Sequence, residues 1–248
     1  LGMSNYNYFR EAGIPYARTH DASFCTAYGG EHTVDVHRIF KNFDADENDP
    51  ASYDFAFTDK LIEGLMEAEC EPYFRLGVTI ENQAIIKPYR IFPPKDFFKW
   101  AQICEHIVRH YNEGWADGFH HNIVYWEIWN EPDLDKYDWW TSPKTWGGTA
   151  ESFFELYTIT TRHLKKCFPN LKIGGPALAG YEDWAEEFMK HISKIKLGVS
   201  EGIINIDETL PVRLLIECQP YMLQKEYGIM TPDDRDICRA KKVREQLE

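Results

Sequence analysis

The chain has 248 residues, of which 44% are hydrophobic and 27% are charged, and its formal net charge is -13. This length can bury one sizeable core, as a single domain or a slightly short barrel. So acidic a surface repels a phosphate backbone, which argues against nucleic acid as a partner. Because no apolar run reaches the length of a membrane span, we expect no membrane partner either.

The six cysteines lie far apart along the chain and include no CxxC pair. A disulfide framework is typical of shorter chains with denser cysteines. We therefore expect reduced, mostly buried thiols and a cytoplasmic protein. No signal peptide opens the sequence. Residue 1 is Leu rather than Met, so we expect that the N-terminus is cut, and a lost signal would leave no trace.

Short apolar runs alternate with amphipathic stretches through the first two thirds of the chain. The long helix that starts at the Pro93-Pro94 pair is predicted to hold proline in its first turn, where proline is tolerated. In chain order the patterns predict a strand over 14–20, a helix around 61–66, a strand over 71–77, this long helix, a strand over 123–128, a helix over 150–166, a strand over 171–175 and a helix over 181–193.

Strands that alternate with helices of this length indicate βαβ units and a parallel sheet, either doubly wound or closed into a (β/α)8 barrel. No GxGxxG follows a predicted strand, which argues against a dinucleotide-binding fold. Polar residues instead follow the carboxyl ends of strands, as His20 and Asp21 and as Asn130 and Glu131. A barrel has its chemistry at that end, so we predict an α/β fold of the (β/α)8 TIM barrel class.

From about Lys196 the alternation weakens. Residues 203–206 and 212–216 are candidate strands, and residues 233–248 form a charged tail that is helical or frayed. We therefore divide the chain into a partial barrel over residues 1–195 and a divergent C-terminal tail of uncertain fold over residues 196–248.

The most informative stretch is residues 125–133, Tyr-Trp-Glu-Ile-Trp-Asn-Glu-Pro-Asp. Strand alternation predicts that Glu127, Trp129 and Glu131 share one face, with residues 126, 128 and 130 on the other. The Glu131 carboxyl can protonate a departing glycosidic oxygen, while the Asn130 amide hydrogen-bonds a ring hydroxyl beside the reacting carbon. Pro132 ends the strand and restricts the geometry before it. The alternative is an ordinary strand end at which Glu131 is only solvated.

This stretch resembles the acid/base motif of clan A glycoside hydrolases, and its surroundings resemble family 39, the family of β-xylosidases and α-L-iduronidases. The resemblance extends from about residue 5 to about residue 192 and is closer to bacterial β-xylosidases. Four segments carry it, over residues 13–20, 53–77, 127–133 and 171–177. It implies a (β/α)8 barrel, a retaining mechanism on glycosides or oligosaccharides, and no cofactor. It also implies that Glu131 is the general acid/base and that Asn130 binds the hydroxyl.

By the same resemblance His20 lines the sugar subsite, although a lone histidine is as often structural. Trp139, Trp140 and Trp146 follow Glu131 closely, where a loop tryptophan such as Trp140 can stack on a sugar ring. Core or loop packing is the alternative for each of them.

The histidines also raise the question of a metal site. Neither an HExxH motif nor a comparable ligand spacing is present among His20, His32, His37 and the pair His120-His121. We therefore expect no bound metal.

Two features of a complete family 39 barrel are not found. The chain opens on what matches the helix after the family's first strand, so we predict an incomplete barrel. Retention also requires a second carboxylate about 5 Å from the acid/base. The nearest candidate nucleophile is Glu217, after the strand-like run 212–216, although its position leaves little room for a sixth βα unit. The alternative is a surface glutamate in a truncated or frame-shifted product.

Two functions are consistent with these patterns. One is a retaining, β-xylosidase-like hydrolase with Glu131 as acid/base. The other is a catalytically inactive glycosidase fragment or sugar-binding remnant, which the absent nucleophile strand favours. An iduronidase-type enzyme needs cationic side chains near the sugar carboxylate, and the sequence locates none. The oligomeric state is left open.

Overall fold

The computed structural model describes residues 5–20, 32–79, 90–134 and 143–198, and for residues 193–198 only the backbone. Within these ranges the chain forms four β-strands and six α-helices. The strands are β1 (Tyr16–Arg18), β2 (Glu71–Leu76), β3 (Tyr125–Ile128) and β4 (Lys172–Gly174). The helices are α1 (Tyr6–Glu11), α2 (Val36–Ile39), α3 (Ala56–Glu67), α4 (Phe97–Glu113), α5 (Ala150–Cys167) and α6 (Glu182–Gly198), and a 3-10 turn covers Pro50–Ser52.

The four strands form one parallel sheet in the order β1-β2-β3-β4. Tyr16 pairs with Glu71, Tyr73 with Tyr125, and Tyr125 in turn with Lys172, so each strand lies beside the next one along the chain. A doubly wound sheet reverses its strand order at a switch point, whereas the wall of a barrel does not. The described residues thus form four strands in the order of the wall of a (β/α)8 barrel, which confirms the predicted fold class.

Each strand and helix predicted up to residue 193 coincides with an observed element, although the ends differ by a few residues. The prediction for the Pro93-Pro94 pair was wrong in detail: α4 begins at Phe97, so the prolines precede the helix. The physical reason is Asp96, whose carboxylate accepts a hydrogen bond from the Lys99 backbone N–H at 3.0 Å and caps the helix. The elements predicted over 203–206, 212–216 and 233–248 lie outside the described residues.

One face of the sheet contributes to the hydrophobic core. Phe74 and Leu76 of β2 are fully buried, and Trp126 and Ile128 of β3 are buried in the same cluster. Their spacing of two residues along each strand puts them on one side of the sheet. The helices cover this side with buried apolar side chains, which include Trp100, Ile107, Phe153 and Leu156. Full burial stabilises the fold by roughly 1.5–3 kcal/mol for each large apolar side chain.

Arg75 is a buried charged residue of β2 that lies between the buried apolar residues Phe74 and Leu76. Its guanidinium donates to Asp35 Oδ1 at 2.7 Å and to the Thr79 hydroxyl at 3.0 Å, and Thr79 donates to the same Asp35 oxygen at 2.8 Å. Burial alone would raise the pKa of the Asp35 carboxyl, but the Arg75 guanidinium, the nearby His37 and the hydrogen bond from Thr79 together hold that pKa below its ordinary value. The pair is therefore ionised at neutral pH and ties the segment before α2 to β2.

Asp133 fastens the loop after β3 to the segment before α6. Its carboxylate is fully buried and accepts hydrogen bonds from the backbone N–H groups of Ala179, Gly180 and Tyr181 at 2.8, 3.0 and 3.1 Å. Burial raises the pKa of Asp133, and the three N–H donors oppose that rise without cancelling it. The loops that follow β3 and β4 are therefore held together where these two strands end.

We expect Asp35→Asn to destabilise the fold strongly, because the Arg75 guanidinium would stay buried without a counter-charge. The free energy of unfolding should fall by about 3–5 kcal/mol at neutral pH, as measured by urea denaturation. Since the pKa of Asp35 is lowered in the fold, its contribution is present above the ordinary value of 3.8 and is lost as the pH falls through the lower folded value. The difference between variant and wild type should therefore shrink in acid.

The matched control is Asp54→Asn. Asp54 pairs with Arg38 and Lys41, but its side chain is 35% exposed. Exposed ion pairs contribute little, so this variant should lose less than about 1 kcal/mol. Equal losses in the two variants would contradict the role assigned to the Arg75 pair.

A second stability test is Asp133→Asn. The substitution replaces one carboxylate oxygen with an NH₂ group, a donor that faces other donors. Since Oδ2 accepts from both Gly180 and Tyr181, we expect the free energy of unfolding to fall by about 1–3 kcal/mol. The control Asp117→Asn lies at an exposed residue with φ of 56°, a conformation that Asn tolerates. An unfolding midpoint of Asp133→Asn that equals that of the control would rule out this role for Asp133.

Candidate active site

The residues after β3 leave the sheet through a backbone that non-glycine residues rarely adopt. The φ angles are 72° at Trp129 and 45° at Glu131. Three hydrogen bonds hold this turn. The Trp129 N–H donates to the Leu76 carbonyl at 2.7 Å, the Glu131 N–H donates to the Ala177 carbonyl at 2.7 Å, and the Thr145 hydroxyl donates to the Glu131 carbonyl at 2.6 Å. Leu76 of β2, Ala177 in the segment after β4, and Thr145 therefore fix the backbone on which the predicted acid/base lies.

This backbone overturns the predicted alternation of faces beyond Ile128. Trp129 is buried in the aromatic core. Asn130 lies instead on the side of Glu127, since Arg18 contacts both side chains. The prediction was wrong because β3 ends at Ile128, and the left-handed φ at the next residue breaks the alternation of the strand.

Arg18, the last residue of β1, joins two buried polar groups. Its Nε donates to Glu127 Oε2 at 2.6 Å, and its Nη2 donates to Asn130 Oδ1 at 2.9 Å. Glu127 is fully buried in β3, and β2 lies between β1 and β3. The guanidinium therefore reaches across β2 to a carboxylate that would cost several kcal/mol if it were buried without a cation.

His20 fixes the Asn130 amide from a second direction. Its Nε2 lies 3.0 Å from Asn130 Oδ1. A guanidinium can only donate, so the amide atom that faces Arg18 is the oxygen, and the His20 Nε2 that faces the same oxygen carries the proton. The amide nitrogen Nδ2 of Asn130 is buried and hydrogen-bonds to none of the described residues. An amide held in this way presents a donor to a ligand atom that can accept.

The structure brings together three of the five residues predicted for the site. His20 contacts Asn130, and Glu131 follows Asn130 along the chain and is partly exposed. The predicted stacking residue Trp140 and the predicted nucleophile Glu217 both lie outside the described residues, so their roles stay predictions.

Trp146 belongs to the core and not to a stacking platform. It is 1% exposed, its ring lies edge-on to Trp129 at 5.0 Å between centroids, and its indole N–H donates to the Thr149 carbonyl at 2.9 Å. For Trp146 the structure therefore supports core packing and not stacking on a sugar ring. Trp139 lies outside the described residues.

Arg18 and Glu127 were not singled out from the sequence as site residues. Each is a charged residue within a short strand, and a buried charge requires a partner. That signal could have marked both of them as members of a buried pair. It could not have joined them, because the partner depends on the order of the strands in the sheet.

The described residues also bear on the expected thiols, membrane spans and metal ligands. The cysteines within them, Cys70, Cys104 and Cys167, form no disulfide. Among these residues, no helix has the length and apolar character needed to cross a bilayer. Within the same ranges, no cluster of three metal-ligand side chains includes any of the histidines first considered as ligands, which are His20, His32, His37, His120 and His121.

The C-terminal part of the chain is similar to a kinase. A family model described as "Protein-arginine kinase McsB C-terminal domain" matches residues 184–248. The protein-arginine kinase of Clostridium kluyveri is 43% identical over 65 residues, which are 25% of this chain and 19% of the kinase. This match begins within α6 and includes Glu217.

The larger part is similar to glycosidases. The β-xylosidase of Caldicellulosiruptor saccharolyticus is 29% identical over 192 residues, 74% of this chain and 34% of that enzyme. The β-xylosidase of Geobacillus stearothermophilus is 25% identical over 170 residues, 65% of this chain and 32% of that enzyme. The crystal structure of a glucosidase from Croceicoccus marinus matches with a TM-score of 0.61 at 26% identity, over 78% of this chain and 38% of that chain. The chain thus spans about a third of the length of these β-xylosidases.

The family match includes the site described above. A family model described as "Glycosyl hydrolases family 39" matches residues 11–209, which include Arg18, His20 and the whole 125–133 motif. It overlaps the kinase match over residues 184–209. The boundary predicted between residues 195 and 196 lies inside this overlap and stays a prediction. Because the match covers most of the chain and confirms the resemblance found in the sequence, the chain belongs to glycosyl hydrolases family 39.

Proposed function

We propose that the end of β3 is the acid/base half of a retaining glycosidase site, with Glu131 as general acid/base and Asn130 as the residue that binds a sugar hydroxyl. The observation that carries the proposal is the Asn130 amide. Arg18 and His20 hold its oxygen, and its buried nitrogen has no hydrogen-bond partner among the described residues. An unpaired buried donor costs about 1–3 kcal/mol, so a hydrogen bond to a ligand hydroxyl would stabilise the complex.

In the proposed reaction Glu131 donates one proton in the first step and regains one proton in the second. The protonated Glu131 gives its proton to the glycosidic oxygen as the bond to the anomeric carbon breaks, and a second carboxylate bonds to that carbon. The Glu131 carboxylate then takes a proton from a water molecule, which attacks the same carbon and releases the second carboxylate. The contact between Asn130 and the hydroxyl strengthens as positive charge develops on the sugar ring.

The proposed substrate is a β-xyloside or a related oligosaccharide, and the reaction needs no cofactor. The support is the similarity to two β-xylosidases over most of this chain. His20 is proposed to border the sugar subsite while it orients Asn130, and Trp140 is kept as the proposed stacking residue. The cytoplasmic location expected from the cysteines likewise stays a proposal.

A second candidate function is sugar binding without turnover. Its support is the position of Glu217, which lies beyond residue 209, where the family 39 match ends, and inside the segment similar to protein-arginine kinases. This position counts against Glu217 as the nucleophile. We propose that residues 1–195 form the glycosidase part and that residues 196–248 form the kinase-like part.

The first test is the hydrolysis of a nitrophenyl β-xyloside by the full chain and by Glu131→Ala. If the chain is an enzyme, loss of the acid/base should lower kcat by about 100- to 10,000-fold, because hydrolysis of the glycosyl-enzyme then lacks its general base. Azide should restore part of the turnover, because it attacks the glycosyl-enzyme without base assistance and yields a xylosyl azide. Release of nitrophenol and the azide product are the quantities measured.

Glu155→Ala is the matched control, since Glu155 is an exposed glutamate on α5 and its loss should leave turnover unchanged. Undiminished activity in Glu131→Ala would reject the acid/base assignment. Xylose binding in a calorimeter, with no nitrophenol released by the wild-type chain, would select the second candidate function.

The second test asks whether Asn130 binds the hydroxyl next to the anomeric carbon. Asn130→Ala should weaken the binding of xylose by about 10- to 100-fold, which corresponds to a lost hydrogen bond of about 1–3 kcal/mol. The binding of the 2-deoxy sugar should change little, because that ligand lacks the accepting oxygen. Calorimetry measures both ligands, with or without turnover. Equal losses for the two sugars would mean that Asn130 acts only on the fold.

A further inference from the structure

Three side chains of types that can bind a metal ion lie together between helices α4 and α5, apart from the candidate active site. They are Glu105 of α4 and His163 and Cys167 of α5, and their ligand atoms all lie within 4.8 Å of one another. His163 and Cys167 are four residues apart, which puts them on one face of α5, and Glu105 approaches that face from α4. We propose that this cluster is a binding site for a divalent transition-metal ion such as Zn²⁺.

The distances between the ligand atoms are close to those that a zinc ion requires. His163 Nε2 lies 2.5 Å from Glu105 Oε2 and 4.0 Å from Cys167 Sγ. Bond lengths of about 2.0–2.3 Å place the ligands of tetrahedral zinc roughly 3.3–3.7 Å apart. The observed values lie on either side of this range, so small side-chain rotations bring the three atoms to metal distance. The ion takes the place of the hydrogen bond between His163 and Glu105.

Arg109 holds the carboxylate ligand in position. Its Nε donates to Glu105 Oε1 at 2.8 Å, which leaves Oε2 directed at His163. The guanidinium also pairs with Glu113 and lies 5.1 Å from the centre of the Phe168 ring. A group that orients a ligand from behind commonly raises metal affinity. Oε2 of Glu105 is therefore oriented so that it could bind an ion beside His163.

Charge and access also fit a divalent cation. A Cys167 thiolate and the Glu105 carboxylate together supply two negative charges, and thiolate, imidazole and carboxylate are all zinc ligands. Burial, together with the nearby Glu105, raises the pKa of the Cys167 thiol, so the ion must displace a proton when it binds. The Glu105 and His163 side chains are 14% and 26% exposed, which gives an ion access from solvent and lets water complete the coordination.

This site is separate from the proposed glycosidase chemistry. α5 ends at Cys167, shortly before β4 begins at Lys172, whereas Glu131 follows the end of β3. Because the strands are parallel, these two positions lie at opposite ends of the sheet. Metal binding at this cluster therefore does not depend on the function proposed for Glu131.

The test is a titration of the full chain with Co²⁺, in a reductant that contains no thiol, followed by absorbance. We expect a cobalt–thiolate charge-transfer band that saturates at about one equivalent, and a release of about one proton per ion in calorimetry. Cys167→Ser should remove the band. His163→Ala should weaken Co²⁺ binding at least about tenfold, and Zn²⁺ should displace Co²⁺ from the wild-type chain.

Cys70→Ser is the matched control, since Cys70 is a buried thiol before β2, and it should keep the band. Circular dichroism of each variant verifies that it is folded. A wild-type chain without a cobalt–thiolate band would overturn the proposal. So would a band that survives in a folded Cys167→Ser variant, because the thiolate would then come from another cysteine.

Discussion

The fully buried carboxylate of Glu127 would cost several kcal/mol if no cation compensated it. Arg18 supplies that cation from β1, two strands away, by reaching across β2. The same guanidinium holds the Asn130 amide oxygen, so the orientation of this amide is coupled to an ion pair and not to the conformation of a loop alone. Strands that are not neighbours in the sheet are thereby joined through side chains at the place where the candidate site lies.

The kinase-like match begins in a helix that already packs on the barrel. α6 buries Trp184, Phe188 and Ile192, and the Trp184 and Phe188 rings contact Phe154 of α5. The first residues of the kinase match therefore also satisfy the apolar contacts of the glycosidase part. Within the described residues, the overlap of the two family matches lies on α6, from residue 184 to residue 198.

Much of the fold could be predicted from the sequence, because strand and helix periods differ and each buried face repeats at its own spacing. The position of Asn130-Glu131 just after a strand was also predictable, because the predicted strand over 123–128 ends before it and Pro132 cannot continue a strand ladder. The orientation of Asn130 was not predictable. It depends on a left-handed residue at Trp129, a conformation that no local pattern indicates for tryptophan, and on a contact with Arg18 that only the sheet order creates.

Because Arg18 cannot accept a hydrogen bond, the Asn130 amide cannot turn over without opposing donor to donor. The orientation of this buried amide is therefore fixed, and its group without a hydrogen-bond partner among the described residues is the N–H and not the C=O. Under the proposed function, such a subsite distinguishes sugars by the polarity of a single substituent. A hydroxyl or a fluorine beside the anomeric carbon can accept from Nδ2, whereas an ammonium group there would meet a donor it cannot satisfy. Arg18 of β1 would thus determine which substituents the subsite accepts, because it fixes the orientation of Asn130 without contacting the ligand itself.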